Sequence, residues 1–359
     1  MNSKINPISK LCKSEAPRTK ARGFLLSRKN NTAFISGFKT GDFSRGIKAG
    51  ITLGDPAGIG PEITAKSIKK LNNLAEFTVI GDLWVFNRNQ KPITSNQNYN
   101  YKFIDLKNVS KRNFKFGKIK AEYGRASMEY LDKALEMLKN KELDCLITCP
   151  ISKEAINLAG YKYNGHTEYL SERTNTKNPV MMLLNNKIKT SLVTRHIPLK
   201  KVSCALNQEK IYQTVLITYQ SLKKLFFIKN PSIVICGLNP HASDNGLIGD
   251  EENRVIIPAL NKLRAKIKQI EGPLPADIAI AKTMLKQYDC VITIYHDQSL
   301  IPLKLSGAGV NITLGLPIIR TSPLHGTAFD IAGKNQADCT SLNEAIKLAI
   351  KCALNLKNA

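Results

Sequence analysis

The sequence predicts an α/β protein: a mostly parallel sheet covered by helices on both faces, built as one large domain or two intertwined ones. Three observations predict it. From about Lys48 onward, short apolar runs alternate with amphipathic segments, the pattern of a sheet whose strands are joined by helical crossovers. No apolar run reaches the ~18 residues that a membrane span needs. The length of 359 residues is ample for a sizeable core.

The elements follow in order. "AGITLG" at 49–54 reads as a strand, and "GDPAGIGPE" at 54–62 as a glycine-rich turn leading into a helix over 61–71. Pro61 and Glu62 suit a first helical turn. "FTVIG" ending at Gly81 is a second strand candidate. In the helix predicted over 121–140, "SMEYLDKALEMLKNK" repeats apolar residues at three-four spacing. "LDCLIT", "SLVT", "SIVICG" and "CVITIY" are further strands, and helices are expected over 207–226, 250–268 and 338–356. Repeats, low-complexity tracts and Pro/Ser-rich linkers are absent from this part.

The net charge of +25 invites a nucleic-acid reading. The lysines are scattered, however, without a long block or interleaved aromatics, so the reading is a Lys-rich solvated surface that draws in anionic substrates. Residues 1–48 hold eleven Lys/Arg against two acids and lack periodicity; they read as a basic, disordered extension or a transit-type segment. The eight cysteines form no C-x-x-C, and Cys145, Cys236 and Cys290 lie in strand-like runs. That points to buried reduced thiols and a cytoplasmic location.

Three of the five histidines follow strand-like runs directly: His196 after "SLVTR", His241 after "IVICGLNP" and His296 after "CVITIY". Carboxyl ends of parallel strands line ligand crevices, so three imidazoles could converge there on one divalent metal, leaving positions open for substrate. Hydrogen-bonded histidines are the plain alternative. His166 and Thr167 in "NGHTEYL" stand at a helix start suited to an oxyanion or phosphate, with Thr167 as a simple N-cap the alternative. Lys304, Asn311 and Arg320 suit phosphate or carboxylate binding. The spacing of Gly54, Gly58 and Gly60 is neither the dinucleotide fingerprint nor a P-loop; it suits close backbone approach to a ligand, or a plain tight turn.

Taken together and in this order, "GDPAGIGPE", "GHTEYL", "LNPHA", "YHDQ", "VNITLGLPIIRTS" and "HGTAFDIAGK" resemble the 4-hydroxythreonine-4-phosphate dehydrogenase family of pyridoxal phosphate biosynthesis, over roughly residues 49–356. More distantly, the first and last blocks are similar to stretches of the isocitrate and isopropylmalate dehydrogenases, whose NAD site is not of the Rossmann type. The resemblance implies two α/β/α domains with a cleft between them: 49–145 plus about 285–359 on the cofactor side, and about 146–284 on the metal, substrate and dimer side. It implies metal ligands at His196, His241 and His296, and substrate contacts at His166, Thr167, Lys304, Asn311 and Arg320. Cofactor contacts fall to Gly54, Gly58, Gly60, His325 and Asp330. Asp297 and Lys304 are candidates for the proton acceptor, and Asp297 alternatively orients a ligand histidine.

The implied reaction is NAD- or NADP-dependent oxidation of 4-phosphooxy-L-threonine followed by decarboxylation to 3-amino-2-oxopropyl phosphate, with Zn, Mg or Co, in a homodimer whose active site draws on both subunits. No nucleic acid or membrane partner is expected. A paralogue acting on phosphorylated threonate or erythronate would share every one of these contacts; a hydrolase using the same metal site would need no NAD. Three details depart from the family pattern: "LSGAG" after Lys304 is about two residues short, Leu324 stands where an Asp usually precedes the His, and Arg195 sits beside an expected metal ligand.

Overall fold

The computed structural model describes residues 46–88 and 101–359. The N-terminal extension predicted over 1–48 therefore lies, save its last three residues, outside the described part. Eleven strands form one sheet: β1 (Lys48–Thr52), β2 (Glu76–Gly81), β3 (Tyr101–Asp105), β4 (Cys145–Thr148), β5 (Val180–Leu184), β6 (Lys189–Leu192), β7 (Ile233–Cys236), β8 (Ile270–Leu274), β9 (Cys290–Thr293), β10 (Val310–Leu314) and β11 (Ile319–Pro323). Their order is β3-β2-β1-β4-β11-β10-β5-β6-β9-β7-β8.

The helices are α1 (Gly60–Leu71), α2 (Leu83–Arg88), α3 (Ala121–Lys139), α4 (Lys153–Leu158), α5 (His166–Arg173), α6 (Val202–Ala205), α7 (Gln208–Phe226), α8 (Ile257–Arg264), α9 (Ala276–Met284), α10 (His296–Ser306) and α11 (Thr340–Lys357). The helix expected over 250–268 begins as a π-helical turn, Glu252–Ile256, before α8. The fold is thus α/β with a mostly parallel sheet, and all the described residues belong to one compact unit.

Burial explains the strands. β1 reads eBBBB, and β4, β7 and β9 are buried throughout, as strands covered on both faces must be. Only β10–β11, β10–β5 and β5–β6 pair antiparallel; the other pairings are parallel. The strands β3 to β11 therefore run one way and β6 to β8 the other, with β10 and β5 at the reversal. The strand Cys290–Thr293 lies between β6 and β7, in the half that also carries β8.

Candidate active site

A polar patch crosses the sheet at its reversal. In the register of β11, Arg320 lies opposite Leu146 of β4, and Ser322 opposite Asn311 of β10. Because side chains alternate along a strand, Arg320 and Ser322 share one face with Thr148, Asn311 and Thr313. Arg320 is 2% exposed. Its Nε and Nη2 donate to Thr148 Oγ1 at 3.0 and 2.7 Å, and its Nη1 to Thr313 Oγ1 at 3.1 Å. Neutral hydroxyls satisfy N–H groups without cancelling the charge. Burial pulls the guanidinium pKa down to about 10, with Glu168 acting in the other direction, so it stays cationic at neutral pH. A buried cation left with neutral partners is costly and amounts to a ready site for an anion.

α5 closes over this patch. Gly165, with φ 154°, is its N-cap and Thr167 is buried inside the first turn, so Thr167 is not the cap. His166 is held neutral, its pKa driven well down by burial and then by Arg320, and its Nε2 is buried without a partner. The next turn residue, Glu168, has its Oε1 4.0 Å from Arg195 Nη2. The Oδ1 of Asn311 is also buried and unpartnered, while its Nδ2 donates to Ser322 Oγ at 3.4 Å. His166 and Asn311 are thereby gathered near the buried Arg320, with Thr167 buried next to His166 in α5.

The histidines stand at the ends of β6, β9 and β7, which are neighbours and mutually parallel. Their carboxyl ends deliver the rings to one edge. His196 and His296 lie with ring centroids 5.5 Å apart, beside an open cavity of about 230 Å³ that Arg195 and Asp297 also line. Burial, then Lys153 and then His296, lowers the pKa of His196, favouring the neutral ring that ligates metals. Asp297 Oδ1 lies 2.6 Å from His296 Nδ1, which fixes the tautomer and leaves Nε2 to a ligand. Asp297 is thus placed to orient His296.

His241 opens a run of five left-handed residues, His241 to Asn245, with φ from 43° to 75°. L-residues resist this conformation. Buried Glu252 anchors the approach to it, accepting from Leu238 N at 2.7 Å, from Asn239 N at 2.8 Å and from Asn239 Nδ2 at 2.8 Å. His241 is exposed, with Nδ1 3.7 Å from Asp244 Oδ2. Among the described residues, no three His, Cys, Asp or Glu side chains stand close enough together to hold a metal ion. The donor set nonetheless fits a divalent metal in kind: imidazoles, one with its tautomer fixed by a carboxylate, delivered from adjacent strands.

The glycine turn proves to be packing. Gly54, Gly58 and Gly60 are all buried. A Cβ on Gly54 would lie 2.3 Å from Pro150 O, and one on Gly60 1.9 Å from Leu53 O. A Cβ on Gly58 would come within 3.1 Å of Thr327 O. The missing Cβ atoms are thus explained by the chain's own close packing. Asp55 inside this turn accepts from Ala57 N at 2.9 Å, while its Oδ2 is buried without a partner.

Burial raises the Asp55 pKa from 3.8 to about 7. The folded state thus holds this proton more tightly than the unfolded chain does. Its stabilisation is complete below pH 3.8 and disappears as pH rises through about 7, a swing of up to about 4 kcal/mol. Denaturant unfolding of wild type and Asp55→Asn from pH 5 to 8 should show the variant gaining on wild type as pH rises. A constant difference would refute the buried neutral carboxyl.

Three expected contact residues stand apart. His325 keeps a buried, unpartnered Nε2, with Nδ1 3.3 Å from Gly326 O, and Asp330 is exposed. Lys304 is exposed on α10 and is not brought to Arg320 by any recorded contact. The sequence reading passed over Thr148, Thr313, Glu168 and Glu252, and met Arg195 only as a departure. Hydroxyls interrupting the buried strands β4 and β10 were the available signal.

The family described as pyridoxal phosphate biosynthetic protein PdxA matches residues 62–349. A 4-hydroxythreonine-4-phosphate dehydrogenase of Sulfurihydrogenibium sp. is 44% identical over 317 residues, 85% of this chain and 98% of that protein. A D-threonate 4-phosphate dehydrogenase of Salmonella typhimurium is 40% identical, covering 84% and 98%. Among solved structures, 4-hydroxythreonine-4-phosphate dehydrogenase from Klebsiella pneumoniae superposes with TM-score 0.77 at 35% identity, over 86% of this chain and 98% of that one.

Proposed function

The chain belongs to the pyridoxal phosphate biosynthetic protein PdxA family, and from that premise we propose that it oxidises the secondary alcohol of 4-phosphooxy-L-threonine. The resulting β-keto acid loses carbon dioxide to give 3-amino-2-oxopropyl phosphate, on the route to pyridoxal 5'-phosphate. The observation that carries the reading is the buried Arg320 guanidinium, answered only by neutral hydroxyls and faced by the unpartnered Nε2 of His166. Such a pocket suits a phosphate.

In this reading Arg320, His166, Thr167 and Asn311 hold the phosphate and fix the reacting carbon near His196 and His296. A divalent cation (Zn, Mg or Co) held by His196, His241 and His296 would supply Lewis acidity at the alcohol. NAD or NADP would take the hydride. We assign cofactor contacts to His325 and Asp330 and to the turn of Gly54, Gly58 and Gly60, which packs against Thr327. Asp297 orients His296, and Lys304 remains the candidate proton acceptor or phosphate contact, reaching the site of a second subunit. Exposed Ile301 and Leu305, 58% and 78% accessible beside Lys304 on α10, favour that homodimer. The division into 49–145 plus about 285–359 and about 146–284 belongs to the same reading. So does a cytoplasmic setting, to which the free thiols of the described cysteines are suited; no described helix is long and apolar enough to cross a membrane.

The Salmonella relative's name supports one second reading, a dehydrogenase of phosphorylated threonate. Purified protein with Zn²⁺ or Mg²⁺ and either NAD⁺ or NADP⁺ should increase absorbance at the reduced-nicotinamide wavelength on addition of 4-phosphooxy-L-threonine. Turnover of 4-phospho-D-threonate alone would move the enzyme to the second reading. Turnover of neither would overturn both.

A further inference from the structure

A second guanidinium in the site is unexplained by the phosphate pocket. Arg195 follows β6 and directly precedes His196, and it lines the cavity shared by His196, His296 and Asp297. Its side chain is only 24% exposed, yet it makes no close ion pair: Nη2 stands 4.0 Å from Glu168 Oε1. Its Nη1 is buried and donates to nothing. Lys210 adds a further positive influence from α7. A buried N–H without an acceptor is costly, so a group of this kind persists where a ligand supplies the acceptor.

We propose that Arg195 is a specificity-determining residue that grips the substrate's carboxylate through Nη1, leaving Arg320 to the phosphate. The inference rests on the reaction read above and deepens it. Glu168 acts on both arginines and so separates two cationic centres, one inside the sheet patch and one on the cavity wall. In the substrate, the carboxylate carbon lies closer along the chain to the oxidised carbon than the phosphorus does. The anion nearest the His196–His296 pair is therefore the carboxylate, and Arg195 is the cation beside that pair. A planar fork matches a carboxylate in two parallel hydrogen bonds, which a lysine cannot reproduce.

The test is calorimetric binding to the Zn²⁺-supplemented protein without nicotinamide. It compares 4-phosphooxy-L-threonine, its carboxamide and unphosphorylated 4-hydroxy-L-threonine, for wild type, Arg195→Gln and Arg195→Lys. Wild type should prefer the acid to the carboxamide by roughly 10- to 100-fold. That preference should fall to within about 3-fold in R195Q and lie between in R195K, while the preference for the phosphorylated ligand persists. An R195Q protein that keeps the acid-to-carboxamide ratio overturns the proposal, and so does one that loses the phosphate preference instead. A purely structural role would weaken all ligands together and leave the ratio standing. Wild type binding neither phosphorylated ligand would overturn the functional reading itself, whatever the variants do.

Discussion

Arg320→Ala should reduce kcat/KM by roughly 10²- to 10³-fold while leaving a folded protein. The expectation follows from position. The guanidinium is buried, held by three hydrogen bonds to Thr148 and Thr313, and has no carboxylate of its own except the influence of Glu168. Removing one partner of a desolvated, charge-assisted contact costs about 2–5 kcal/mol, and each ~1.4 kcal/mol is tenfold. Folding should suffer less, because the lost charge was uncompensated and its removal relieves part of the desolvation cost. The loss should appear mainly in KM if phosphate binding is uniform, and in kcat if the grip tightens at the transition state. Arg320→Lys retains the charge without the fork and should recover only part of the loss. Kinetics showing R320A within threefold of wild type would sink the phosphate assignment. Unfolding measurements on the same variants separate this from collapse of the sheet patch.

Part of this site is legible in the chain. The three histidines follow apolar runs, and the rule that parallel strands offer their carboxyl ends to ligands fits His196 and His296, which line one cavity from the neighbouring strands β6 and β9; His241 does not line it. The hydroxyl cradle is not legible. Thr148, Thr313 and Arg320 share a face only because β11 pairs parallel with β4 and antiparallel with β10, and the first of these pairings brings Arg320 to Thr148, 172 positions away. Polar residues pointing inward also break the apolar runs of β10 and β11, which hides those strands from a hydrophobicity pattern. The glycines carry a different ambiguity. A glycine demanded by the chain's own carbonyls looks in sequence the same as one demanded by a ligand, since both need only the missing Cβ. Arg195 is conspicuous as a residue, but its approach to Glu168 of α5 is a tertiary contact that the local pattern does not display.

His296→Ala should abolish stoichiometric binding of a divalent metal and lower kcat by at least about 10³-fold, a loss of some 4 kcal/mol. The ring sits 5.5 Å from His196 by centroids, and its Nδ1 is engaged with Asp297 at 2.6 Å, so Nε2 is the atom that would ligate. Asp297→Asn then decides what the carboxylate does. As the partner that fixes the ligand ring, it should weaken metal affinity by about 10- to 100-fold, and excess metal should restore most of the turnover. As the proton acceptor, it should leave metal affinity near wild type and depress kcat at every metal concentration. Equilibrium dialysis with Zn²⁺, run beside the kinetics, reads the two outcomes independently of activity. Full metal binding by H296A would remove His296 from the ligand set. The separation of His241 from the other two rings has a consequence for the same experiment. If ligation draws the left-handed His241–Asn245 loop toward them, metal should protect that loop's amides from exchange in wild type and not in His241→Ala.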